Sequence, residues 1–275
     1  MEYVEFLRVR RVFVIFSLIF AAVASLVIAS IIYSTVVTTP GHGSVGIVID
    51  DGSPQKPHQL TSYFKTLTIP LGLLLGIASY AAIVFATILA SSLNKENDGL
   101  DYVFVKPMRR EQIALRYIVT DVVAIFAIFA FALVVVEFVP LALLHALNRI
   151  VVDAQAFWIG ALGLGVACMW YGVLQAVTAS YKGKGGTIVG FSWGIFGVLV
   201  GMGSLTFLGP IFLGIVHVLN LVNPIAYFSG LLSHGNSYEI DSVLGIPLEV
   251  RACAVWAIAF VGITIATFSW RRVEA

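Results

Sequence analysis

The stretch Ile118-Val119-Thr120-Asp121-Val122-Val123-Ala124-Ile125-Phe126-Ala127-Ile128-Phe129-Ala130-Phe131-Ala132-Leu133-Val134-Val135-Val136-Glu137-Phe138-Val139-Pro140 decides the class of fold. Between Asp121 and Glu137 it carries no polar side chain. A helix that is apolar on every side has no face for water, so lipid or protein must surround it. The run also reaches the roughly 20 residues that a bilayer crossing needs. Five further runs share this character: Val12–Val36, Leu67–Leu93, Ala156–Ser180, Thr187–Leu219 and Arg251–Trp270. The sequence therefore predicts an all-α, polytopic membrane protein with six transmembrane helices.

Composition agrees. Of 275 residues, 59% are hydrophobic and 11% charged, with a mean hydropathy of +0.97. Soluble domains carry about 25% charge and about 45–50% apolar residues. A soluble enzyme and a disordered chain are excluded on that ground. The net charge of +1 offers no field for a polyanion, so no nucleic-acid partner is expected. Six spans leave only short loops, which makes 1–275 a single transmembrane domain. Arg8, Arg10 and Arg11 precede the first run, as in a signal peptide. That run is longer than the 7–15 residues of a signal core, so an uncleaved span is the better reading.

The basic residues set the orientation. Twelve of the sixteen Lys and Arg (Arg8, Arg10, Arg11, Lys95, Lys106, Arg109, Arg110, Arg116, Lys182, Lys184, Arg271 and Arg272) fall on one side if both termini are cytoplasmic. Lys56, Lys65, Arg149 and Arg251 fall on the other. The excess of Lys and Arg in short loops marks the cytoplasmic side. The expected location is the plasma membrane, with the N- and C-termini inside.

Several motifs imitate catalytic sites. Gly41-His42-Gly43-Ser44-Val45-Gly46 has dinucleotide-loop spelling, but a span precedes it and no helix is signalled after it. Gly190-Phe191-Ser192-Trp193-Gly194 spells a nucleophile elbow inside a span, where the required strand-turn-helix is missing. Lys182-Gly183-Lys184-Gly185-Gly186-Thr187 lacks P-loop spacing. His42, His58, His145 and His234 are scattered over outer loops, and Cys168 and Cys253 read as small buried hydrophobes. No catalytic, cofactor or metal residues are assigned, and no enzymatic activity is expected of the chain by itself.

Small and polar residues carry more. Gly72/Gly76, Gly190/Gly194 and Gly197/Gly201 have G-x-x-x-G spacing, which lets helix backbones approach closely. They predict either packing within one subunit or a dimer seam along the fifth span. Gly209-Pro210 interrupts that span, as a kink or as the start of a re-entrant stretch. Asp121 and Glu137 are the ionisable groups in the third span. Each is a candidate for a cavity or coupling role, or a snorkelling residue near a helix end.

The segment Asn94-Lys95-Glu96-Asn97-Asp98-Gly99-Leu100-Asp101-Tyr102-Val103-Phe104-Val105-Lys106-Pro107-Met108-Arg109-Arg110 places Leu100, Val103 and Phe104 on one helical face, and Pro107 ends that helix. A short amphipathic cytoplasmic helix of mixed charge suits a partner's groove better than lipid. The segment resembles the permease subunits of ATP-binding-cassette transporters of the type-2 exporter superfamily. Leu100, Asp101, Val103, Phe104, Pro107 and Arg110 fall on the family pattern, while Asp98, Gly99, Arg109 and Arg116 depart from it. Val45–Ser53, Asn220–Phe228, Trp270–Arg272 and Tyr3–Leu7 resemble further family features: the outer strand, the Asn-Pro turn, the basic exit and the elbow helix.

The resemblance implies an interfacial elbow helix at 1–11, a short extracytoplasmic segment at 37–66 and a cytoplasmic coupling region at 94–116. It implies ATPase coupling through Glu96, Leu100, Asp101, Val103, Phe104, Pro107, Arg109 and Arg110. It also implies a second permease copy in a homodimer or related heterodimer. A separate ATPase subunit would hold the ATP and Mg, with no cofactor on this chain. Few intramembrane charges suggest an apolar or amphipathic export substrate. A secondary carrier or membrane assembly protein is the alternative.

Overall fold

A computed structural model describes residues 2–37, 66–90, 93, 110–144, 147–151, 156–180, 184–203, 209–220, 223 and 247–271. The elements are α1 (Glu2–Val37), β1 (Thr66–Pro70), α2 (Leu71–Leu89), α3 (Arg110–Leu144), β2 (Leu147–Val151), α4 (Ala156–Ser180), α5 (Gly185–Gly203), α6 (Pro210–Asn220) and α7 (Leu248–Arg271). Long helices are what an apolar chain must form in lipid, because each backbone N–H and C=O then finds its partner within the segment.

Among the described residues, five helices are long and apolar enough to cross a membrane: Phe6–Val27, Glu111–Val139, Phe157–Ser180, Gly185–Met202 and Leu248–Trp270. The second expected span is the short one. Its helix, α2, has 19 residues, about 28 Å at 1.5 Å per residue, and its described apolar part is Leu74–Leu89. α1 runs unbroken for 36 residues through both the stretch expected as an elbow helix and the first span.

Side-chain contacts give the helix directions. Trp170 and Thr178 of α4 reach Thr87 and Ala90 of α2, while Leu75 lies against Gly160, so α2 and α4 run in parallel. Trp256 bonds the Ala161 carbonyl and Gly262 lies on Gly172, so α7 is parallel to α4 as well. Asp121 of α3 meets Tyr171, whereas Phe126 meets Trp256 beside Ala161, so α3 runs the opposite way. Arg8–Asp121 and Phe13–Phe131 align α1 with α3. The start of α1, the end of α2, the start of α3 and the ends of α4 and α7 therefore share one end of the bundle.

At the other end lies an addition to the all-helical expectation. β1 and β2, which lead towards α2 and α4, pair in parallel from Thr66↔Leu147 to Pro70↔Val151. Residues 38–65 of the expected 37–66 segment, with the β-like stretch noted in the sequence at 45–53, lie outside the described residues.

α4 is the central helix. Over its most apolar 18 residues 67% are buried, against 11% in α1 and α5. Trp170, Tyr171 and Met169 of α4 lie in the main core with Phe85, Ile125 and Ile128. The tightest seam joins α4 to α7. A Cβ at Gly172 would stand 2.9 Å from the Ala259 carbonyl oxygen, and one at Gly262 would stand 2.8 Å from the Gly172 backbone. The G-x-x-x-G expectation for packing within the subunit is thus corrected for the fifth span. Gly190, Gly194 and Gly201 face open space and Gly197 is exposed. Gly76 is buried in α2, and Gly72 sits in its first turn.

The fifth expected span resolves into a hairpin. α5 ends at Gly203, and α6 opens with Gly209 and Pro210, the Leu213 N–H bonding the Gly209 carbonyl at 3.1 Å. Proline suits the first turn of a helix, where no N–H is needed. Asn220 donates to the Leu199 carbonyl at 3.4 Å and Asn223 to the Phe196 carbonyl at 2.8 Å. A continuous helix would separate Leu199 from Asn220 by about 31 Å, so α6 folds back on α5.

Candidate functional site

Polar groups inside so apolar a bundle mark the candidate site, and they converge at the end that holds the start of α1. Arg8 lies two turns into α1 and Asp121 three turns into α3. The Arg8 guanidinium bonds Asp121 Oδ1 at 2.6 Å and lies over the Tyr117 ring, 5.1 Å from its centre. The Tyr171 hydroxyl donates to Asp121 Oδ2 at 2.8 Å. One turn further along α4, Gln175 Nε2 donates to the Tyr171 hydroxyl at 3.1 Å and to the Leu89 carbonyl at 3.2 Å. Thr178 donates to the Ala90 carbonyl at 3.0 Å.

Asp121 is 0% exposed, and the Arg8 side chain keeps 30%. The expectation that Asp121 snorkels is therefore corrected: α1 and α4 close over it. A buried carboxylate needs a countercharge and further hydrogen bonds, and here Arg8 supplies the first and Tyr171 the second. Chemically the cluster ties four helices together and holds one fixed ion pair. Arg8 had entered the sequence reading only through the charge count and the basic cluster before the first span, and Tyr171 not at all. The signal available was an aspartate in a span, which calls for a cation from some other helix.

The other expected residues are elsewhere. Glu137 is half-buried, about 24 Å further along α3 from Asp121, so the two carboxylates do not form one site. Glu96, Leu100, Asp101, Val103, Phe104, Pro107 and Arg109 lie outside the described residues. Arg110 is the first residue of α3, and Glu111 follows in its first turn, where a negative charge favours the helix dipole. Ser192 sits within the continuous helix α5 and bonds the Ile188 carbonyl at 2.9 Å, which removes the elbow geometry. Cys168 is buried as expected, whereas Cys253 faces outward. His42, His58, His145 and His234 lie outside the described residues.

A second polar group holds the hairpin. Asn223 donates to both the Phe196 carbonyl and Asn220 Oδ1, the latter at 3.0 Å. Trp170 of α4 packs edge-on against Trp193 and Phe196 of α5, which attaches the hairpin to the core. Neither a scan against protein-family models nor a search of curated proteins finds a match to this chain.

Proposed function

We propose that the chain is the membrane-spanning permease subunit of an ATP-binding-cassette transporter, with both termini cytoplasmic in the plasma membrane. It would pair with a second permease copy and with a separate ATPase subunit that holds ATP and Mg. The cargo would be apolar or amphipathic, moved outward by alternating access. The observation that carries the reading is the convergence of α2's end and α3's start. Both flanks of the 94–109 segment, where the family resemblance is densest, leave from the bundle end that also holds the start of α1 and the end of α7. Helix ends so placed are well situated to receive a partner's motion. They transmit that motion only if the contacts with the partner differ between its two states.

The open glycine face of α5 supports the second copy. Among the described residues, nothing lies within 4 Å of where a Cβ would stand on Gly190, Gly194 or Gly201, and small residues allow close helix association in lipid. The test is co-purification. The chain is expressed with a Walker-motif ATPase encoded beside its gene, and ATP turnover is measured in lipid vesicles. Wild type should recover the ATPase. Phe104→Ala should reduce its association by about 2 kcal/mol, as for a buried interface anchor, at unchanged permease levels. Failure of wild type to recover the ATPase would sink the permease reading.

A further inference from the structure

Both flanks of the 94–109 segment are held by the same polar chain. The last carbonyls of a helix have no donor within it. At the end of α2, the Leu89 carbonyl is taken by Gln175 and the following Ala90 carbonyl by Thr178, both from α4. On the other flank, Asp121 of α3 accepts from Tyr171, which in turn accepts from Gln175. Arg8 extends the chain to α1. Polar contacts thus run without a gap from α2 through α4 and α3 to α1. Asp121, Tyr171 and Gln175 are all fully buried. Away from water, a group that loses its partner is left unsatisfied, and linked hydrogen bonds strengthen one another.

We propose that Arg8, Asp121, Tyr171 and Gln175 form a clamp. It makes the start of α1, the end of α2, the start of α3 and the end of α4 one mechanical body, so that displacement of the 94–109 segment passes to α1 and α4 together. Its use in transport rests on the permease reading; the clamp itself does not. Tyr171 and Gln175 act as positioning residues, because neither belongs to the 94–109 segment.

Amide hydrogen exchange on the full chain in lipid nanodiscs tests the clamp. Tyr171→Phe deletes one hydroxyl at its centre and keeps the ring. Amides around Arg8 and in the last turn of α2 make no hydrogen bond to residue 171, yet both regions should exchange at least threefold faster. Gln175→Asn, which shortens the amide's reach, should do the same at α2 and, through Tyr171, at α1. Ser180→Ala removes a hydroxyl that bonds the Ala176 carbonyl of its own helix, and it should leave both regions unchanged. Acceleration confined to α4, or to one flank only, in both Tyr171→Phe and Gln175→Asn would overturn the clamp. No ATPase is present in this experiment, so a failed clamp and a failed permease assignment are told apart.

Discussion

Asp121 shows how a residue's role depends on chain far from it. Its partner Arg8 lies 113 positions away. Asp121→Asn keeps the side chain's shape and an acceptor for Tyr171 but leaves the Arg8 charge unpaired. Removing one member of a buried pair costs roughly 3–5 kcal/mol. A loss of about 3 kcal/mol is expected here, because Arg8 keeps some exposure. Thermal unfolding in detergent micelles measures it. Adding Arg8→Met to Asp121→Asn should recover part of the loss, since no unpaired charge then remains. A double variant as unstable as the sum of its singles would show that the pair is not coupled. The sequence flagged Asp121 as an ionisable group in a span, but it held no sign of which cation would meet it.

At the scale of elements, two sets of glycines separate. Gly172 and Gly262 lie where α4 and α7 touch backbone to backbone, so Gly262→Ala forces the helices apart. Overpacking of this kind costs about 1–3 kcal/mol, read again by thermal unfolding. Gly190→Ala and Gly194→Ala point into open space and should leave the isolated chain as stable or slightly more so, because alanine favours helix by about 1 kcal/mol. Spacing alone does not distinguish the two sets. The α4 and α7 contacts pair single glycines across two helices, whereas G-x-x-x-G spelling describes one helix only. The α5–α6 hairpin makes its own prediction. Asn223→Ala removes the donor to Phe196 and Asn220 and should cost about 1–3 kcal/mol locally. Faster proteolysis or hydrogen exchange between Gly203 and Asn220 would report it; unchanged protection would mean the apolar contacts alone hold the fold-back.

For the whole molecule, the helix directions put Lys184, at the start of α5, and Glu249, at the start of α7, at opposite ends. In the proposed orientation, with the Lys- and Arg-rich side cytoplasmic, Lys184 lies inside. In a Cys253→Ala background, a membrane-impermeant thiol reagent applied to intact cells should label Glu249→Cys and spare Lys184→Cys. Labelling of both, or the reverse pattern, would overturn the orientation. That the start of α1 and the end of α7 share one end was legible from charge alone, because basic residues flank both. The parallel ribbon of β1 and β2 was not. Each of its strands is five residues long, and pairing strands some 80 positions apart requires the intervening helices to be in place.

The membrane class, the approximate spans and the break at Gly209-Pro210 follow from the sequence by itself. Each rests on local quantities: the length of an apolar run, the missing N–H of a proline, the charge of a short loop. The tertiary structure decided the burial of Asp121 under Arg8 and Tyr171, the α4–α7 seam, and the fold-back of α6. Those depend on which helices become neighbours. In lipid, hydrophobicity is nearly uniform over every helix face, so apolar patterning carries no record of the partner. Small residues and a few hydrogen bonds make that choice, and their meaning appears only when the helices meet.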